Sequence, residues 1–176
     1  ESNNIAITVT VKDNAGNTRT QKKLITIDKT NPKVSISFNH TEGDTVYNTD
    51  RTATITVYDN NFVSGNTSVK ITNTDGSVPK VSGWKSNNNV SNLAYSATVT
   101  FTADGDYNMQ VSTKDAAGRS SNVAKIDQFT IDKTVPTISV AYDSTPSIND
   151  TYFAATRTAT VSINEHNFNA GNVVIQ

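Results

Sequence analysis

The amino-acid sequence predicts an all-β fold built of β-sandwich units, and three observations predict it. Apolar and hydroxyl residues alternate over many short segments, as where Ala53, Ile55 and Val57 stand among Thr52, Thr54 and Thr56. No window carries a convincing 3.6-residue apolar period. Two distant segments are near copies, ITIDKTNPKVSIS at 25–37 and FTIDKTVPTISV at 129–140, so a unit recurs along the chain.

Taken in order, Val34, Ile36 and Phe38 alternate with Lys33, Ser35 and Ser37, the first strand of a unit. The second covers Thr52 to Val57. Val69 and Ile71 mark a short third strand, and Lys80 to Trp84 a fourth. Tyr95, Ala97, Val99 and Phe101 alternate with Ser96, Thr98 and Thr100; Tyr107, Met109, Val111 and Thr113 follow; a last strand covers Ala124 to Ile131. Seven strands with one apolar face and one Thr/Ser face fit a sandwich. Outward Thr suits it, because a β-branched side chain favours extended backbone while its hydroxyl stays in water.

The turns are equally specific. Asp104-Gly105-Asp106-Tyr107 opens a strand with a glycine turn and an aromatic, and Tyr107 is expected to bond its phenol back to nearby backbone. In Lys114-Asp115-Ala116-Ala117-Gly118-Arg119, Gly118 is expected to supply positive φ and Asp115 to bond the amides that follow it. Lys12-Asp13-Asn14-Ala15-Gly16-Asn17 repeats that turn. Trp84, the single tryptophan, is expected to cover an end of the core, as are Phe62 and Phe168.

Three landmarks fix the period: Asp28 returns as Asp132 (104 positions on), Arg51 as Arg157 (106) and Lys12 as Lys114 (102). The spacing divides the chain into 1–28, the last strands of one unit; 33–132, a whole unit; and 137–176, the first strands of a third. Between units, Pro32 and Pro136 fix φ and hold the preceding residue extended. About four residues without glycine make a joint too short for a flexible tether.

Composition narrows the function classes. Fifteen basic and sixteen acidic residues leave a net charge of −1, which gives neither nucleic acid nor an anionic membrane an electrostatic target. No apolar run approaches membrane-spanning length, so no membrane insertion is expected of this segment. Cysteine is absent, which excludes disulfides, thiolate metal sites and thiol catalysis. His40 and His166 stand in different units without a nucleophile signature, and no phosphate-binding glycine loop occurs; the chain is expected not to be an enzyme.

Gly83-Trp84, the Thr-rich strand Ala97 to Phe101, the turn Asp104 to Tyr107, the hairpin Asp115 to Arg119 and the linker Ile131 to Pro136, in that order, resemble the tandem immunoglobulin-like repeats of bacterial cell-surface proteins and adhesins, especially Gram-positive ones. Arg119 departs from the family pattern, which has Asn there; Asn17 keeps it. The resemblance implies an immunoglobulin-like Greek-key β-sandwich, with tandem units end to end. It further implies an extracellular location, secreted or on a bacterial surface, and a stalk, spacer or cell-adhesion role. The partners it implies are the neighbouring repeats and a host or cell-surface protein or glycan. An alternative is ligand binding by the loops at 59–65 and 72–79, or service as an accessory module of a secreted enzyme.

Acidic residues gather where units should meet. Calcium takes six to eight oxygens at an irregular site, and some arrays that the chain resembles hold calcium at their joints. Asp13, Asp28, Asp44, Asp59 and Asn60 are the candidates at one joint; Asp115, Asp132, Asp150, Asn164, Glu165 and Asn167 are those at the other. The opposing expectation is that no cofactor binds: turns need Asp and Asn anyway, and Lys29 and Lys133 stand beside the linker acids. Lys33 and Asn122 are the nearest candidates for an internal isopeptide bond. Thr137 replaces Lys33 in the next copy, which argues against one.

Overall fold

The computed structural model describes residues 2–39, 44–74, 77–87, 93–143, 152–153 and 155–176. Among them are twelve β-strands, two single-turn 3-10 helices and no α-helix, so the fold is all-β. None of the described helices is long and apolar enough to cross a membrane. Contacts divide the chain into Glu1–Ile131 and Asp132–Gln176.

In the first unit, β1 (Ser2–Lys12) and β2 (Thr18–Ile27) form an antiparallel two-stranded sheet of their own. The next eight strands are β3 (Lys33–Phe38), β4 (Val46–Tyr47), β5 (Arg51–Tyr58), β6 (Ser68–Asn73), β7 (Lys85–Asn87), β8 (Ala94–Phe101), β9 (Gly105–Ser112) and β10 (Ala124–Ile131). They make two four-stranded sheets, ordered β3-β5-β8-β7 and β4-β10-β9-β6.

Period-2 patterning becomes one shared core. Ala53, Ile55 and Val57 of β5 and Val99 and Phe101 of β8 come from one sheet; Tyr107, Met109 and Val111 of β9 and Phe129 and Ile131 of β10 come from the other. All are buried, and their threonine neighbours Thr98 and Thr100 face water. Phe101, Tyr107 and Phe129 interlock, with ring centroids 4.9–5.4 Å apart. The arrangement is sandwich-like, with each sheet burying its apolar face.

Two local expectations need correction. Lys80–Trp84 does not form a strand. Val81 makes an isolated bridge to Val99, and the Thr98 amide donates to the Ser82 hydroxyl at 2.7 Å instead of to a ladder carbonyl; β7 begins at Lys85. A strand too short to show periodicity, β4, pairs in parallel with Thr130 and Ile131 of β10.

In the second unit, β11 (Thr137–Tyr142) pairs antiparallel with β12 (Ala159–Asn164), Ile138 opposite Ile163 and Val140 opposite Val161. Val34, Ile36 and Phe38 of β3, the sequence counterparts of Ile138, Val140 and Tyr142, are buried or half-buried in the core, whereas Ile138, Val140 and Tyr142 are exposed. The linker prolines differ likewise: Pro32 is buried and Pro136 exposed.

Candidate functional site

Three acidic side chains from distant parts of the first unit converge. Asp28 follows β2, Asp59 follows β5, and Asp115 opens the turn after β9. One carboxylate oxygen from each lies within 4.8 Å of the others. Asp28 is half-buried, Asp59 is 9% exposed and Asp115 1%.

Local chemistry places each residue. Asp28 Oδ1 accepts the Thr30 amide at 3.0 Å, closing a turn in the linker. Asp59 Oδ1 accepts the Asn61 amide at 2.6 Å. The Asn61 side chain then donates to Asp28 Oδ2 at 2.7 Å, joining linker to loop. Asp115 Oδ1 accepts the Arg119 amide at 2.9 Å, and Gly118 turns the chain at φ +83°. The Ala116 amide donates to the Asn61 carbonyl at 3.0 Å, which brings this turn against the Asp59–Asn61 loop. Asp115 Oδ2 is buried and has no hydrogen-bond partner.

The second unit carries part of the same arrangement. Asp132 Oδ1 accepts the Thr134 amide at 3.2 Å, Glu165 Oε1 accepts the Asn167 amide at 3.1 Å, and the Asn167 side chain donates to Asp132 Oδ2 at 2.7 Å. Asn167 chiefly holds the Asp132 carboxyl below its usual range, with Glu165, Thr134 and His166 adding to the effect against desolvation. Among the described residues no third carboxylate joins this pair. Asp132, Glu165 and Asn167 line an open groove beside Ile138, Ile163 and Phe168.

The grouping of acids therefore differs from the expected one. Asp115 meets Asp28, in the linker that precedes its unit, and Asp59, in the loop after β5, and Asp132 lies outside the cluster. Asp13 also lies outside, closing its own turn: Oδ1 accepts the Asn17 amide and Oδ2 the Asn17 side chain, each at 2.8 Å. These bonds lower its carboxyl from the ordinary range. Asp150 lies outside the described residues. The sequence signal for the cluster was the recurrence of Asp28 as Asp132 and of Asp59 as Glu165, 104 and 106 positions on; the position of the Asp115 turn over that loop had none.

The other singled-out residues are placed as follows. Tyr107 is fully buried and donates its phenol to the Ala103 carbonyl at 2.8 Å. Trp84 is half-buried against the core, its ring 4.9 Å from that of Phe62. Phe62 also lies 4.7 Å from Tyr95, whereas Phe168 is about half exposed. The Asn122 amide exchanges two 2.9 Å hydrogen bonds with the Val34 backbone. His40, Asp75 and Gly76 lie outside the described residues.

Sequence reading missed one repeated device. The Arg51 guanidinium lies 4.3 Å over the Tyr47 ring, and that of Arg157 4.8 Å over Phe153. An aromatic four residues before the arginine in both copies was the available signal.

No protein-family model, no curated protein and no solved structure matches the chain.

Proposed function

We propose that the chain is a non-catalytic stretch of tandem immunoglobulin-like repeats from a bacterial surface protein, acting as a semi-rigid stalk or spacer. One observation carries the reading: the two linkers share both sequence and anchoring. Asp28 and Asp132 each cap their own turn and each accept an amide from the loop after β5 or its counterpart β12, Asn61 or Asn167. A joint bonded in this way and stiffened by proline has few free torsions, which suits reach and presentation.

The strand order supports the immunoglobulin-like part. Sheets of β3-β5-β8-β7 and β4-β10-β9-β6 correspond to the ABED and A′GFC sheets of such sandwiches, and Tyr107 makes the backbone bond of a tyrosine corner. Ligand binding by loop 59–65 has less support, because Asn61 bonds Asp28 and Phe62 packs on the core.

Small-angle scattering from the whole chain tests the reading. An elongated particle is expected, with a radius of gyration well above the roughly 16 Å of a compact globule of this length. A value at that compact limit would refute the stalk.

A further inference from the structure

We propose that the chain binds a second copy of itself head to tail, the β1–β2 sheet of one copy closing over the β11–β12 sheet of another to complete a sandwich. The pairing rests on the repeat relation between these strands and not on a stalk role, so it stands or falls separately from the shape of a single copy.

Opposed residues of an antiparallel pair share a face. On β11–β12 the opposed pairs are Ile138–Ile163, Val140–Val161 and Tyr142–Ala159. They repeat, pair for pair, Val34–Val57, Ile36–Ile55 and Phe38–Ala53 of β3 and β5. On β1, Ile5, Ile7, Val9 and Val11 alternate along one face, with Ile25 of β2 opposite Ile5. The Ile5–Ile25 pair repeats Tyr107–Phe129 of β9 and β10. Ile7 and Val9 then stand where β9 has Met109 and Val111. Ile7, Val9, Ile138 and Val140 are between 48% and 67% exposed.

The complete sandwich shows what such faces bind. There the β3–β5 face and the β9–β10 face meet in one core: Val34, Ile55 and Val57 from one side, Met109, Val111 and Phe129 from the other. Each copy of the chain therefore carries both halves of that core, one in each two-stranded sheet, and both are open to water. Contiguous exposed apolar surface of this kind marks an interaction site. A second copy supplies the complementary half in the register that the complete unit already uses. The two faces differ, so the contact is heterologous. A copy engaged through one face keeps the other free, and assembly continues as an open series.

Sedimentation velocity of the 176-residue protein over about 5–500 µM, where micromolar affinity registers, tests this. The average mass is expected to rise about two-fold or more across that range. Val9→Asp spoils one face and Val140→Asp the other, each by placing a carboxylate where it would be buried without a partner. Either variant alone should stay monomeric. An equimolar mixture should form a one-to-one pair and nothing larger, because one intact face of each kind remains. Thr8→Asp, on the opposite side of β1 from Val9, should associate like the unaltered chain. Circular dichroism of each variant checks that it folds. An unaltered chain that stays monomeric at about 500 µM would overturn the proposal. So would a Val9→Asp or Val140→Asp protein that still self-associates, which marks contact between like faces, or a mixture of the two folded variants that does not pair.

Discussion

Asn61 donates its side-chain amide to Asp28 Oδ2 across 33 positions of sequence, at 2.7 Å. It ties the segment between β2 and β3 to the loop that follows β5. A hydrogen bond to a charged acceptor contributes about 1.5–3 kcal/mol, less where water competes. Asn61→Ala is expected to lower the stability of the first unit by about 1–2 kcal/mol. The exposed neighbour Asn60, replaced by Ala, should stay within about 0.5 kcal/mol of the parent. Urea denaturation of both variants makes the comparison, and equal midpoints would remove the anchoring role.

The equivalent contact in the second unit can be read by titration. The carboxyl of Asp132 is lowered from its ordinary value of 3.8, chiefly by Asn167. A depressed folded-state value means that the ionised form is the one stabilised. That contribution is fully present above the ordinary value and is lost as pH falls through the lowered one. Carbon-detected NMR of the Asp132 carboxyl should give a midpoint below 3.8, and Asn167→Ala should raise it. A midpoint that ignores the loss of Asn167 would contradict the stated cause.

Glycines divide by what surrounds them. Gly105 adopts φ +139°, and a Cβ there would collide with the Asn73 side chain. Gly105→Ala combines backbone strain with a clash and should cost about 2–4 kcal/mol. Gly118 has φ +83° but open space around it, so Gly118→Ala should cost only about 1–2 kcal/mol. Gly83 has neither constraint, and its alanine variant should be close to neutral. Thermal melts of the three variants should rank in that order.

Legibility in the sequence followed the physics of each element. Strands with a long period-2 pattern, such as Arg51–Tyr58 and Ala94–Phe101, were readable because burial on one face forces alternation. Val46–Tyr47 was not, since two residues carry no period and their pairing with β10 is set by tertiary position. Lys80–Trp84 carries Val81 and Trp84 three positions apart, too little for a period, and Ser82 takes a ladder bond with its hydroxyl, a competition that pattern does not register. For the acidic site, types and offsets were visible in Asp28 and Asp59. Which end of the sheet pair the Asp115 turn occupies depends on strand order, and that placed Asp115 beside Asp28.

Asn122 supplies the last expectation. β3 is the edge of its sheet, and the Asn122 amide takes up the Val34 N–H and C=O as a neighbouring strand would, both at 2.9 Å. The same amide would be consumed by an isopeptide bond to Lys33, which is exposed. Intact mass should therefore equal the sequence value, whereas a cross-link would lower it by about 17 Da through loss of ammonia. Asn122→Ala leaves two backbone groups of a buried residue without partners and should cost about 1–3 kcal/mol. Lys33→Ala should be neutral within about 0.5 kcal/mol. A mass deficit, or equal destabilisation by the two substitutions, would favour the covalent link over the hydrogen-bonded clamp.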